Sequence, residues 1–467
     1  MSQAAELEGQ GRGWGTRLGF YLAAIGSAFG LGNLWRFPYV VSENGGGAFV
    51  LLYIGLVFLL GLPLLVAELL LGKTSRSGLW LALESLASGK DSSGAARRPL
   101  NWVTHFAPVV LLICVLVLAY YAVISGWVLH FFMQFLVPFF SAQSLDPQRS
   151  LEILMNNGWL QAALASVHLL VVAVIVARDV EEGIERWLGF MMPVFVLLLF
   201  ILAAKSLSLE SAPEALRFLF YPDFSQLSFS SLGQAVGHLF FTLSVGFGTM
   251  VTFGSYLQKR SYVPIAGFRV ATLDSMISLF AGVLIFPLVL VTVSVATGPE
   301  LLFQTVPNLF LRIQGGHLFG LGFFICLYLA ALGASIGLLE TIVANLRDKL
   351  KWSRPFSAMV AALLCWLLAL LPALSSTLFK GFRFRGQGLL EVLDGLLINW
   401  MLPVTALIVS QLIYYRLERK KLESEFIDPE SLSSVKLYSH WMFVLRYVAP
   451  TVIGLALLLQ VWGLWVD

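Results

Sequence analysis

Charge is scarce in this chain: Asp, Glu, Lys and Arg make up 12% of its 467 residues, while 58% are hydrophobic. A water-soluble domain carries about 25% charged and about 45–50% apolar residues. So little polar surface cannot coat a globule in water, and a mean hydropathy of +0.83 leaves lipid as the solvent for most of the molecule. The net charge is only +3, and the basic residues form no stripe, which argues against a nucleic-acid surface. Cysteine is nearly absent. Cys114, Cys326 and Cys365 stand inside apolar runs, at spacings that fit neither a metal site nor a disulfide framework, so packing is their expected role. No His-Glu-x-x-His zinc motif occurs. His238 and Ser244 offer a base and a nucleophile, but six residues along a helix set them far round from one another. Enzymatic activity is not expected.

Long apolar runs are what the sequence has instead. A membrane-crossing helix needs about 20 mostly apolar residues. Such runs fall near 17–41, 47–71, 104–139, 159–178, 187–208, 231–257, 264–297, 317–346, 356–377, 388–415 and 440–465. These predict an all-α membrane protein with eleven transmembrane helices, the third, seventh and eighth long enough to tilt or project. The short alternating segments of a membrane β-barrel are missing. Met1 to Gly13 is polar and shows no cleavage pattern, so no removable signal peptide is expected.

Orientation follows from the connections. With the N-terminus inside, the cytoplasmic segments hold 22 of the 30 Lys and Arg residues, among them Arg12, Arg17, Arg260, Arg269 and the 416–446 group. That bias predicts a cytoplasmic N-terminus, and an odd number of spans puts Asp467 outside.

Two spans are interrupted by small residues: Gly26-Ser27-Ala28-Phe29-Gly30-Leu31-Gly32-Asn33 in the first, and Ser244-Val245-Gly246-Phe247-Gly248 in the sixth. Glycine costs a helix roughly 1 kcal/mol against alanine. One such segment reads equally well as close helix packing. Two, in corresponding positions of spans 1–5 and 6–10, point to a five-plus-five inverted repeat around a central site built from discontinuous helices 1 and 6. The chain then divides into a cytoplasmic segment (1–16), two five-helix repeats (17–208 and 209–415), a cytoplasmic connector (416–439), and a last span with a short external tail (440–467).

The stretch Trp14-Gly15-Thr16-Arg17-Leu18-Gly19, continuing through Gly30-Leu31-Gly32-Asn33-Leu34-Trp35-Arg36-Phe37-Pro38, resembles helix 1 of the neurotransmitter:sodium symporters. Glu43-Asn44-Gly45-Gly46-Gly47-Ala48-Phe49, Phe240-Phe241-Thr242-Leu243-Ser244 and Ser255-Tyr256 extend the likeness, which is to the eleven-helix bacterial branch with the leucine-transporter fold. The resemblance implies sodium-coupled import of an amino acid across a bacterial inner membrane, by a monomer or weak homodimer.

An amino acid brings a carboxylate and an ammonium into a low-dielectric cavity, and both need partners there. The resemblance assigns the carboxylate to backbone N–H groups at Leu31 and Gly32 and the hydroxyl of Tyr121. It assigns the ammonium to the Ser27–Ala28 end of the first half-helix, carbonyls of Phe241 and Thr242, and Ser244. Val117, Phe247, Ala334 and Leu338 complete the lining, which carries no Asp or Arg and so suits a neutral, hydrophobic or aromatic side chain. The first sodium site maps onto Ala28, Asn33, Thr242 and Asp274. Asp274, with Ser278 one turn on, supplies the negative charge that chloride supplies in other members, so chloride is not expected to be needed. The alternative is a protonated packing residue. The second sodium site maps onto Gly26, Phe29 and Ala330, but Gly333 and Ala334 occupy its two hydroxyl positions, and Ser335 is one place off. Coupling by a proton, or no coupling in a sensor or channel, stays open on that account. His238 is either a packing residue or a titrating neighbour of Asp274. The expected gates are Arg36 with Asp394 outside, and Arg12 with Asp348, Trp14 and Tyr256 inside; solvated loop charges are the plain alternative.

Overall fold

The computed structural model describes residues 13–88, 98–140, 145–258, 260–289, 301–428 and 432–466. Nine of its helices are long and apolar enough to cross a membrane, and a tenth span consists of two pieces bent by 44°. In chain order the helices are α1 (Arg17–Ala28 and Gly32–Glu43), α2 (Gly47–Ser75), α3 (Asn101–Phe139), α4 (Gly158–Val176), α5 (Val180–Ser206), α6 (Phe229–Thr242 and Thr249–Ser255), α7 (Val263–Val289), α8 (Gly316–Leu350), α9 (Arg354–Ala373), α10 (Leu389–Arg416) and α11 (Ser433–Gly463). The halves of α6 are each too short to span alone.

Each break has a local cause. In α1 the backbone leaves the helix at Phe29, with ψ 88°, and Gly30 lies where a Cβ would fall 2.7 Å from the Tyr121 hydroxyl. In α6 three residues take left-handed backbone: Ser244 (φ 53°), Gly246 (φ 91°) and Gly248 (φ 81°). A non-glycine residue is uncommon there, and Ser244 is held by its side chain, which donates to the Ser27 carbonyl at 3.2 Å. The freed amide of Gly246 donates to Glu68 Oε1 on α2 at 2.7 Å. Thus the two breaks lie against each other, and their loose backbone groups find partners inside the protein, as a membrane requires.

Small residues let α8 close on α1. A Cβ at Gly333 would lie 2.4 Å from the Gly26 carbonyl oxygen, and the ideal Cβ of Gly337 falls on the Ser27 side chain.

The expected connector 416–439 holds a short helix, Arg419–Phe426, and the helical backbone of α11 begins near 433. Aromatic packing ties them together: Phe426 stacks on Trp441 with ring centroids 4.8 Å apart, and Trp441 donates to the Pro63 carbonyl at 2.9 Å. The last part of the expected seventh span, 290–297, lies outside the described residues.

Candidate substrate and ion site

Between the two breaks lies a narrow cavity of about 20 Å³, walled by Ser27, Ala28, Gly30, Gly32, Tyr121, Phe241, Thr242, Ser244, Phe247, Ala334 and Leu338. Ten of these were named from sequence; Gly30 was not. Val117, one turn before Tyr121, is fully buried in α3 and does not line the cavity. Leu31 also stays out of the wall, and its N–H is not free: it donates to the Tyr121 hydroxyl at 2.7 Å. Tyr121 accepts there, which leaves its own hydrogen to donate. Backbone amide and phenol thus form one preset unit at the end of the second half of α1, whose dipole favours an anion. The rings of Tyr121 and Phe241 lie 6.4 Å apart, as do those of Phe241 and Phe247. Together they form an aromatic wall with no charged member.

Beside the cavity is a compact set of oxygens. Asn33 Nδ2 donates to Asp274 Oδ1 at 2.7 Å and to Ser278 Oγ at 2.9 Å, while Asn33 Oδ1 accepts from Gly30 N at 3.2 Å. The Tyr53 hydroxyl stands 3.3 Å from both Asp274 Oδ2 and Thr242 Oγ1. Asn33, Tyr53, Asp274 and Ser278 are completely buried, and Thr242 is 2% exposed. A lone carboxylate among neutral hydroxyls and amides suits a hard monovalent cation, which prefers oxygen donors. Tyr53 was not named from sequence.

The face of α8 that meets Gly26 offers no hydroxyl. Ser335 turns the other way and bonds His168 Nε2 on α4 at 2.8 Å. His238 stacks on Phe37 (5.8 Å) and meets Tyr53 at a tilt (5.2 Å), and neither ring nitrogen has a hydrogen-bond partner among the described residues.

Both ends are closed. Outside, Arg36 lies 3.5 Å from Asp394 Oδ2 and donates to Asn399 Oδ1 at 3.0 Å. Inside, Trp14 is buried; its ring N–H reaches the Phe253 carbonyl at 3.2 Å and its backbone N–H the Tyr256 carbonyl at 3.3 Å. Arg12 lies outside the described residues. Its expected partner Asp348 accepts from Gly78 N at 2.8 Å. Sequence reasoning missed the buried centre of this inner face. Tyr256 donates to Glu340 Oε1 at 2.6 Å, and Arg354 binds both Glu340 oxygens, Nη1 at 3.0 Å from Oε1. Arg354 Nε also reaches the Val176 carbonyl at 2.8 Å, tying α9 to the end of α4.

A membrane protein with two apposed helix breaks, a small neutral cavity and an adjoining oxygen cluster, closed on both faces, has the build of an ion-coupled carrier. The profile of the sodium:neurotransmitter symporter family matches residues 12–140 and 136–464. An uncharacterized sodium-dependent transporter of Bacillus subtilis is 32% identical over 449 residues, covering 94% of this chain and 95% of the relative. The chain belongs to the sodium:neurotransmitter symporter family. Similarity extends to a mouse sodium-dependent neutral amino acid transporter, B(0)AT2, at 27% identity over 60% of this chain and 41% of that one. Among solved structures, MhsT in complex with L-phenylalanine superposes with a TM-score of 0.86 at 34% identity, covering 96% of this chain and 99% of that one.

Proposed function

We propose that this chain imports a neutral, hydrophobic or aromatic amino acid together with sodium, by alternating access. What supports the reading most is the cluster of Thr242, Asp274 and Ser278 oxygens, braced by the amide nitrogen of Asn33 and set directly beside a cavity whose walls are neutral and largely aromatic. The L-phenylalanine held by MhsT and the neutral amino acids named for B(0)AT2 are of the same class. In this reading the substrate carboxylate takes the Leu31–Tyr121 unit. Its ammonium meets the carbonyls at the two breaks and the Ser244 oxygen. A sodium ion at Asp274 holds the two halves of the site together, and the inner gate around Trp14 and Tyr256 opens once both are bound. One sodium per cycle is favoured, because the α1–α8 contact offers carbonyls of Gly26, Phe29 and Ala330 but no hydroxyl from Gly333 or Ala334. The excess of Lys and Arg in the segments on its side supports a cytoplasmic N-terminus.

Uptake into proteoliposomes, with sodium and pH gradients imposed separately, tests this. Sodium-driven accumulation, with leucine, phenylalanine and tryptophan competing better than glutamate or lysine, is the expected result. Accumulation driven by protons alone, or exchange that needs neither gradient, would replace it with the proton-coupled or uncoupled reading left open by the bare face of α8. Replacing chloride with gluconate is expected to leave uptake unchanged, since Asp274 already carries the negative charge.

Tyr121→Phe is expected to weaken equilibrium substrate binding by about 10–100-fold while the protein stays folded, because a hydrogen bond to a charged group contributes roughly 1.5–3 kcal/mol. Scintillation proximity binding reads this directly. Unchanged affinity would remove Tyr121 from the carboxylate site.

A further inference from the structure

A second cavity opens on the face that carries the excess of basic residues. It lies between the start of α1, the α6–α7 connection and the start of α7, has a volume of about 400 Å³, and is distinct from the central site. Three arginines line it: Arg17 from α1, Arg260 from the connection and Arg269 from α7. No carboxylate is among its described lining residues. Arg269 is not a loose solvated charge. Its guanidinium rests 5.2 Å over the Tyr21 ring and donates to the Tyr21 hydroxyl at 3.1 Å, so it is held across the gap between α7 and α1. Glu185 stands at the rim, where it accepts from Gly15 N at 2.9 Å and Thr16 Oγ at 2.6 Å; the three exposed arginines leave the rest of the space positive, and an anion among them is stabilised there.

The rest of the lining says which anion. Leu18 and Ile265 also line the cavity and are 65% and 47% exposed; Phe268, next to Arg269, is 52% exposed. These apolar side chains lie where α1 and α7 enter the membrane, so the cavity is basic toward water and continuous with lipid on its other side. A free phosphate uses only the arginines. A phospholipid uses both, with its phosphate on the guanidiniums and an acyl chain along Leu18, Ile265 and Phe268. We propose that this cavity binds the headgroup of an anionic phospholipid from the leaflet on the basic face. The occupant touches the inner gate, because Trp14 forms part of the same wall. By joining Arg17 to Arg260 and Arg269 it clamps the first half of α1 against α6 and α7, and so favours the closed inner face.

The test is thermal unfolding of the full chain purified in a neutral detergent, titrated with phosphatidylglycerol, phosphatidylcholine or inorganic phosphate. Phosphatidylglycerol is expected to raise the unfolding temperature saturably and the other two not to. The triple variant Arg17→Gln, Arg260→Gln, Arg269→Gln is expected to need about 100-fold more phosphatidylglycerol for the same shift, since each basic side chain near an anionic headgroup contributes roughly a factor of five. A second triple variant, Arg419→Gln, Lys420→Gln, Lys421→Gln, removes equal charge elsewhere on that face and is expected to respond like the parent chain. Equal loss in both triples would show diffuse attraction and overturn the proposal, as would stabilisation by inorganic phosphate alone or by phosphatidylcholine. Should the first triple fold poorly, Ala266→Trp, which fills the cavity and keeps all three charges, is expected to abolish the saturable shift; its persistence would also overturn the proposal. None of these readouts depends on transport.

Discussion

Asp274→Asn is expected to raise the sodium concentration for half-maximal uptake by about 10²–10³-fold. Asparagine keeps the size of the side chain and one acceptor oxygen, so the frame made by Asn33 at 2.7 Å and Tyr53 at 3.3 Å stays in place. The charge goes, and the Tyr53 hydroxyl turns to donate to Thr242 Oγ1 and accept from the new amide. Asp274 is completely buried among neutral groups, where removing one partner of an ion pair costs about 3–5 kcal/mol and about 1.4 kcal/mol is tenfold in affinity. Sodium titration of uptake, at fixed substrate and with chloride present or absent, measures the change. An unaltered sodium dependence would make Asp274 a neutral packing residue. Recovery of the variant by chloride would show that the carboxylate stands in for an anion.

The second large effect concerns the inner face. Arg354→Met alone is expected to destabilise the protein by about 3–5 kcal/mol, because it leaves Glu340, which is completely buried, as an unpaired charge. The double variant Arg354→Met, Glu340→Leu is expected to regain most of that loss, since two apolar side chains of similar volume replace a buried pair at little cost. Glu340 also holds the Tyr256 hydroxyl at 2.6 Å, so the double variant keeps its stability but loses the latch on the inner gate. A double-mutant cycle by thermal unfolding, read alongside efflux from preloaded liposomes, separates the two effects. If the two single substitutions add without coupling, the buried pair is not what holds α8 to α9.

The sequence made some of this plain and hid the rest for physical reasons. Apolar runs of membrane length announce most of the spans, and clustered small residues announce both breaks, because lipid tolerates unpaired backbone only where protein covers it. The motif around Gly30 to Pro38 carried the family. Glu340 and Arg354 pair only because α8 and α9 meet at their ends, a tertiary fact that no local pattern encodes. Glu68 did leave a trace: it is a single acid in the apolar run Leu62–Leu71, and its partner is the amide that the α6 break sets free. The helix at Arg419–Phe426 was obscured by its charges, most of which face water, Glu425 pairing with Lys73, while Leu422 and Phe426 turn inward. The cavity wall was largely legible, but not the pairing of Leu31 with Tyr121, which depends on how far α3 leans toward the α1 break.

The bare α1–α8 contact, where Gly333 meets the Gly26 carbonyl and Ser335 is taken by His168, bears on how steep a gradient the carrier can sustain. A unit charge moved across 100 mV releases about 2.3 kcal/mol, enough to hold a neutral solute at roughly 50-fold excess. Two ions per cycle raise that ceiling to its square, about 2,500-fold at the same voltage. A cell relying on one-ion coupling scavenges less deeply from a dilute medium, but it spends half as much sodium on each molecule it takes in.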